Sequence, residues 1–193
     1  MDNLIELINE YLKIFPEECN RQRKVIQYLN ENSNIIDWNN FKGHIVAGGF
    51  IYAKKEMKFL VLYHKDLKMF LYPGGHIDKK DLNILEAAKR EVYEETGLKN
   101  IKQFEISNNE LVPIDIDTHI INYNERLNLP EHYHFEFRYL FEIEEIKNID
   151  IDKEELEKFK WIDINEMKKD KNYGSIADKI EKCKKGKWNE KRK

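Results

Sequence analysis

Apolar residues recur at helical spacing through the first part of the chain, as Leu4, Leu7, Ile8, Tyr11, Leu12 and Phe15, and again after Pro16 as Val25, Ile26 and Leu29. That periodicity predicts a helical extension over residues 1–42, packed on a core. From Gly43 the pattern changes to short unbroken apolar runs, Ile45 to Tyr52 and Phe59 to Tyr63, bounded by polar turn residues. Such runs read as buried strands, joined here by a hairpin across residues 53–58. After Gly74-Gly75 the period becomes helical once more. Ile84, Leu85, Ala88 and Val92 form an apolar stripe that ends at Gly97, where glycine can take the left-handed conformation that closes a helix; Asp81 is its candidate N-cap. Further strands are predicted over residues 101–106, 112–121, 134–143 and 159–162. A last helix begins near Ile164, with Met167, Ile176 and Ile180 facing the core and an interruption at Tyr173-Gly174-Ser175. Strands around a central helix, with helices at both ends, make the chain α/β.

Composition narrows the function without naming it. The 193 residues are 41% hydrophobic, enough for one domain with a substantial core. Charged residues are abundant at 36%, yet 33 basic against 36 acidic side chains leave a net charge of −3, which argues against a general polyanion binder and makes a nucleic-acid partner unexpected. Only the stretch 182–193 is locally basic, and it reads as a solvated C-terminal tail. Cys19 and Cys183 lie far apart with no metal spacing, as in a reducing compartment. No run approaches the roughly 18 consecutive apolar residues of a membrane span, so a cytoplasmic protein without a membrane partner is expected. The N-terminal segment offers a surface for a homodimer or a lid.

One stretch points to a chemistry. Pro73-Gly74-Gly75-His76 is followed by Arg90-Glu91-Val92-Tyr93-Glu94-Glu95-Thr96-Gly97-Leu98. At about 100° per residue, Glu91, Glu94 and Glu95 share one side of a helix. Like charges that close repel, and a hard cation relieves them. The string resembles the Nudix box, G-x5-E-x7-R-E-U-x-E-E-x-G-U with U aliphatic, whose second half is matched at every defined position. The first half departs from it: counting from Gly75 puts Asp81 where the family has glutamate, and Arg90 arrives one residue late, as a one-residue insertion would cause. Lys160-Trp161-Ile162-Asp163 is similar to the end of Nudix domains, so the resemblance spans residues 43–181. It implies an α/β/α sandwich with a mixed sheet, and Mg²⁺ or Mn²⁺ held by Glu91, Glu94, Glu95 and the Gly74 carbonyl. It further implies that Arg90 orients the carboxylates and that Glu91 is a candidate base.

Two more strings alternate polar and apolar residues, Asp115 to His119 and His132 to Arg138. With His76 and Gly43-His44 they resemble a Nudix subgroup carrying a Gly-His box start, an Asp-x-Asp-x-His strand and a His-x-His strand. His76, Asp117, His119, His132, His134 and Arg138 are therefore candidates for binding substrate phosphate or ribose. A transition-metal site, or solvent-facing strand polarity, are the alternatives. Trp38 and Trp161 are expected to pack internally. The function implied is metal-dependent hydrolysis of a phosphoanhydride in a nucleoside diphosphate linked to another moiety, a small-molecule nucleotide-type substrate. A ligand-sensing domain or RNA 5′-end processing are the alternatives.

Overall fold

The structure, a computed structural model, describes residues 4–184 apart from 124, 126, 127 and 172. Most of the basic tail, residues 185–193, lies outside the described residues. Helices α1 (Leu4–Ile14) and α2 (Arg23–Glu31) come first, joined through a single 3-10 turn at Pro16–Glu18. Then follow β1 (Gly43–Ala53), β2 (Lys58–His64), β3 (Met69–Leu71), β4 (Gly74–His76), α3 (Ile84–Thr96), β5 (Lys102–Gln103), β6 (Asp115–Ile121), β7 (His132–Ile143), β8 (Leu156–Asp163), α4 (Ile164–Lys169) and α5 (Gly174–Lys184). Eight strands form one mixed sheet. Its spine is the parallel β1–β7 pair, in register from Gly43↔Tyr133 to Ala53↔Ile143, while β2, β3, β4, β5, β6 and β8 all add antiparallel. β1 is buried along its whole length, the signature of a strand covered on both faces. Among the described residues no helix is long and apolar enough to cross a membrane.

The stripe predicted on α3 is buried as expected, with Ile84, Leu85, Ala88 and Val92 all at or below 2% exposure. Gly97 closes the helix at φ 70° with its N–H on the Tyr93 carbonyl. The N-cap differs from expectation: the side chain of Asn83 accepts from Glu86 N–H, and Asp81 is drawn away to Arg90. A guanidinium that takes both carboxylate oxygens outcompetes a single backbone N–H.

Other departures have local causes. Of the stretch expected to be helical, the described residues are helical only as far as Glu31, and turns lead on into β1. The strand expected over 101–106 shrinks to Lys102–Gln103, since side-chain turns at Ser107 and Asn109 divert the chain before it rejoins β7 through β6. Gly74 and Gly75 lie in a further strand, β4, paired with β1 through Gly48↔Gly74 and Ala47↔Gly75. Backbone pairing there needs no apolar side chains, so periodicity cannot reveal it. Trp161 packs partly buried against the core, but Trp38 is 54% exposed on the connection to β1, contrary to its expected packing role. The break at Tyr173-Gly174 does separate two helices, α4 and α5.

The N-terminal segment is fastened to the sheet by polar contacts as well as apolar ones. Tyr11 and Phe15 are buried, Tyr28 stacks on Phe135 at 4.4 Å between ring centroids, and Gln22 donates to the Ile116 carbonyl at 3.0 Å along β6.

Candidate active site

Strand β4 runs beside the C-terminal part of α3, and Arg90 ties the two together. Its guanidinium donates to Asp81 Oδ1 and Oδ2, each at 3.0 Å, to Glu91 at 2.8 Å, to Glu94 at 2.7 Å and to the His76 carbonyl at 2.8 Å. A planar fork with donors at fixed angles can serve five acceptors this way; an ammonium cannot. Asp81, at the position where the box pattern has glutamate, thus braces the arginine with a side chain that is 6% exposed.

Glycine at position 75 has a spatial cause. A Cβ there would lie 2.7 Å from Glu91 Oε2 and 2.8 Å from its Cδ, so the carboxylate occupies the room a side chain would need. Gly75 is not among the positive-φ residues, and close approach alone demands the glycine.

The box glutamates differ in setting. Glu94 is half exposed and turned to Arg90, whereas Glu91 is largely buried, and Glu95 is partly buried with the Gly74 N–H bonded to its carboxylate. Burial pushes the Glu91 carboxyl up to about 7, with Arg90 opposing and Glu94 and Glu155 adding to the rise. Burial likewise pushes Glu95 up to about 8, helped by Glu91, Glu155 and Asp152. The three box glutamates do not converge into a triad: among the described residues, the groups whose ligand atoms lie within 4.8 Å of one another are His44/His76/His134 and Asp117/His119/Glu136. Glu94 is pulled aside by Arg90. Glu95 instead feels the negative charge of Glu91, Glu155 and Asp152, which adds to the effect of its burial.

On the adjacent strand positions of β4, β1, β7 and β6 lies a face of histidines. The registers Val46↔His76, His44↔His134 and His119↔His134 set them side by side. His76 Nε2 is 3.1 Å from His44 Nε2, and His132 Nε2 is 3.2 Å from His134 Nε2. Burial lowers His44 to about 4 and His134 to about 2, with neighbouring histidines adding to both; His76 is lowered by burial and by His132. Burial thus favours the neutral form of all three rings. His76 follows Gly75 on a strand, so its side chain points to the sheet face opposite Glu91.

Asp117 and Arg138 are already engaged. Arg138 donates to Asp115 at 3.1 Å, to Asp117 at 2.9 Å and to Glu136 at 2.9 Å, and its side chain is 5% exposed. Asp115, fully buried, also takes both terminal nitrogens of Arg21 at 2.9 and 3.0 Å and Lys179 of α5 at 2.7 Å. Arg21 reaches Asp117 at 2.9 Å, and Lys179 reaches Glu18 at 2.6 Å. This network joins the N-terminal segment, β6, β7 and α5, and engages Arg138 through four hydrogen bonds to three carboxylates. His119 sits at its rim, 3.2 Å from Asp117.

Sequence reasoning did not single out Arg21, Lys179, Asp152 or Glu155, which carry no motif. His44 was noted as part of a motif but not as a site residue, although its polar side chain inside an otherwise apolar buried strand was the available signal.

With this geometry in hand, comparison with known proteins is informative. The family model for the NUDIX domain matches residues 42–182. A Lactococcus lactis subsp. cremoris protein described as a probable DHNTP pyrophosphohydrolase is 31% identical over 144 residues, which cover 75% of this chain and 80% of that protein. The crystal structure of a NUDIX family hydrolase from Clostridium perfringens superposes with a TM-score of 0.55 at 24% identity, covering 72% of this chain and 96% of that one. The structure of the E. coli dihydroneopterin triphosphate pyrophosphohydrolase superposes with a TM-score of 0.50 at 16% identity, covering 69% and 91%. At these identities the two structures speak to the fold.

Proposed function

Because the chain belongs to the NUDIX domain family, we propose that its hydrolysis of phosphoanhydrides depends on a divalent cation and acts on a nucleotide-like triphosphate, with dihydroneopterin triphosphate the first substrate to try. The observation that carries this reading is the brace of Arg90 on Asp81, Glu91, Glu94 and the His76 carbonyl, with the bare Cα of Gly75 against Glu91. The relative described as a DHNTP pyrophosphohydrolase supports the choice of substrate.

The residues present suit Mg²⁺ or Mn²⁺. Glu91 and Glu95 are raised because acidic neighbours and burial leave their negative charge poorly compensated, and their oxygens are the hard donors such ions take. Glu91 and Glu95 with the Gly74 carbonyl would hold the ion, Glu94 would join them on leaving Arg90, and Glu155 adds negative charge beside them. A bound cation supplies charge neutralisation at the phosphoryl oxygens and a more acidic water. The chain's own part is to position the groups around it. Arg90 fixes Glu91 in one rotamer, Gly75 leaves its carboxylate room beside the strand, and Gly74 N–H orients Glu95. Glu91, the carboxylate that Arg90 and the bare Cα of Gly75 fix in place, is assigned the role of taking a proton from the attacking water. Asp117 and Arg138 are assigned to scaffolding and not to substrate contact, since their charges are spent on each other.

A panel of dihydroneopterin triphosphate, nucleoside triphosphates, dinucleoside polyphosphates, nucleotide sugars, CDP-alcohols and NADH, each with Mg²⁺ or Mn²⁺, tests the reading through released phosphate or pyrophosphate. Turnover that needs the cation and falls by at least ~10²-fold in Glu95→Gln is expected, the scale of a lost catalytic group. Full turnover in EDTA would refute the metal dependence, and activity on none of the compounds would move the assignment towards ligand binding.

A further inference from the structure

Five of the six histidines in the chain, His44, His76, His119, His132 and His134, meet on one patch although they come from four strands. Neutral imidazoles whose ring nitrogens approach each other either share an N–H···N hydrogen bond or present lone pairs to one ion. Here two Nε2 to Nε2 approaches occur, 3.1 Å for His44 with His76 and 3.2 Å for His132 with His134. In a tetrahedral site with metal–nitrogen bonds of about 2.0–2.1 Å, neighbouring donor atoms stand roughly 3.3–3.4 Å apart by geometry. Each pair therefore has close to the length of one edge of such a tetrahedron, and the ligand atoms of His44, His76 and His134 lie within 4.8 Å of one another; His132, outside that group, would join it through its approach to His134.

The outer contacts fit the same picture. A metal-binding imidazole commonly gives its second N–H to a backbone carbonyl, which fixes the tautomer and aims the other nitrogen. His132 Nδ1 is 2.7 Å from the Pro130 carbonyl, so that nitrogen carries the proton and Nε2 presents its lone pair towards His134. His44 Nδ1 is buried without a well-formed partner, and the Asn40 backbone carbonyl beside the ring is the group that would accept its proton.

We propose that His44, His76, His132 and His134 bind one transition-metal ion of the Zn²⁺ class, at a site separate from the box glutamates. Neutral imidazoles favour such ions and are poor ligands for Mg²⁺, so the two sites select different metals. The neighbouring group of Asp117, His119 and Glu136 is not the site, since Arg21 and Arg138 already neutralise its carboxylates at 2.9 Å and a metal would have to displace a guanidinium. Bound at the four histidines, the ion cross-links the start of β1, β4 and the start of β7. β4 is also the strand whose Gly75 backs Glu91 and whose His76 carbonyl is held by Arg90, so the ion fixes the glutamate site from the far side of the sheet.

Titration of the tag-free, EDTA-treated full-length protein with Co²⁺, followed by visible absorption, tests this without reference to activity. Expected are one Co²⁺ per chain with the intense bands of a four-coordinate ion, displacement by Zn²⁺ but not by excess Mg²⁺, and affinity weakened at least ~10-fold in His76→Ala and in His134→Ala. Glu95→Gln should bind Co²⁺ as wild type does. Circular dichroism checks that both histidine variants fold. The proposal is overturned if no stoichiometric uptake occurs, if uptake survives both histidine variants, or if it disappears in Glu95→Gln while persisting in His76→Ala.

Discussion

Gly75→Ala is the sharpest perturbation of the glutamate site, because it adds one methyl group and changes no charge. The backbone at 75 is outside the left-handed region, so alanine meets no conformational penalty. What it meets is Glu91: Cβ would lie 2.7 Å from Oε2, 2.8 Å from Cδ and 2.9 Å from Oε1. Bringing 2.7 Å out to the 3.4 Å of ordinary contact moves the carboxylate by about 0.7 Å. Glu91 cannot yield freely, since Arg90 holds it at 2.8 Å and Arg90 is itself pinned to Asp81 and the His76 carbonyl. A misplacement near 1 Å costs on the order of 10²-fold in a positioned reaction, so a loss of ~10- to 10²-fold in kcat/KM is expected. Crowding a packed site costs about 1–3 kcal/mol of stability at most, leaving a folded protein. The assay is cation-dependent turnover of the best substrate, with the melting temperature measured on the same sample. A folded variant with kcat/KM within about 3-fold of wild type would refute the claim that this glycine exists to seat Glu91.

Three further outcomes follow from the same contacts. Arg90→Lys should lower kcat at least ~10-fold while changing KM little, because an ammonium cannot span five acceptors; wild-type kcat would show that the brace does not position the glutamates. In metal-free protein, Glu91 and Glu95 bind protons more tightly folded than unfolded, so stability should fall as pH rises from about 4.5 through about 7 and 8. Urea midpoints across that range measure it, and the same slope in Glu91→Gln/Glu95→Gln would exclude these groups as the cause. Asp115→Asn should destabilise by roughly 3–5 kcal/mol, since Arg21, Arg138 and Lys179 lose their shared buried partner; an unchanged urea midpoint at pH 7 would refute that. Against their burial, Lys179, Arg138 and Arg21 hold Asp115 below the usual carboxylate range, and the His119 hydrogen bond with Arg138 and Arg21 holds Asp117 there, so their stabilisation is present above about pH 4 and is lost as pH falls further.

The sequence by itself determined a good deal. The α/β order, the buried strands, the apolar stripe of α3 and its glycine stop follow from periodicity and from glycine's conformational freedom, which are local properties. The glutamate helix was legible for the same reason, because residues three and four apart on a helix are neighbours whatever surrounds them. Membership of the family came from that string and its place after a strand.

Tertiary structure decided what depends on partners distant in sequence. Asp81 looked like a helix cap and is instead the counter-ion of Arg90, a choice set by a bidentate partner brought within 3.0 Å. Asp117 and Arg138 were read as candidate ligand contacts, and the fold engages both in an ion-pair network completed by Arg21 and Lys179, neither of which carries any pattern of its own. Strand alternation put His132 and His134 on one face, yet only the registers of β4 with β1 and of β1 with β7 set His76 and His44 beside them. A sheet's side-chain period is fixed along each strand, whereas which strands lie adjacent is fixed by packing of the whole chain. The chemistry of the glutamates is therefore written in consecutive residues, and the histidine cluster exists only in the fold.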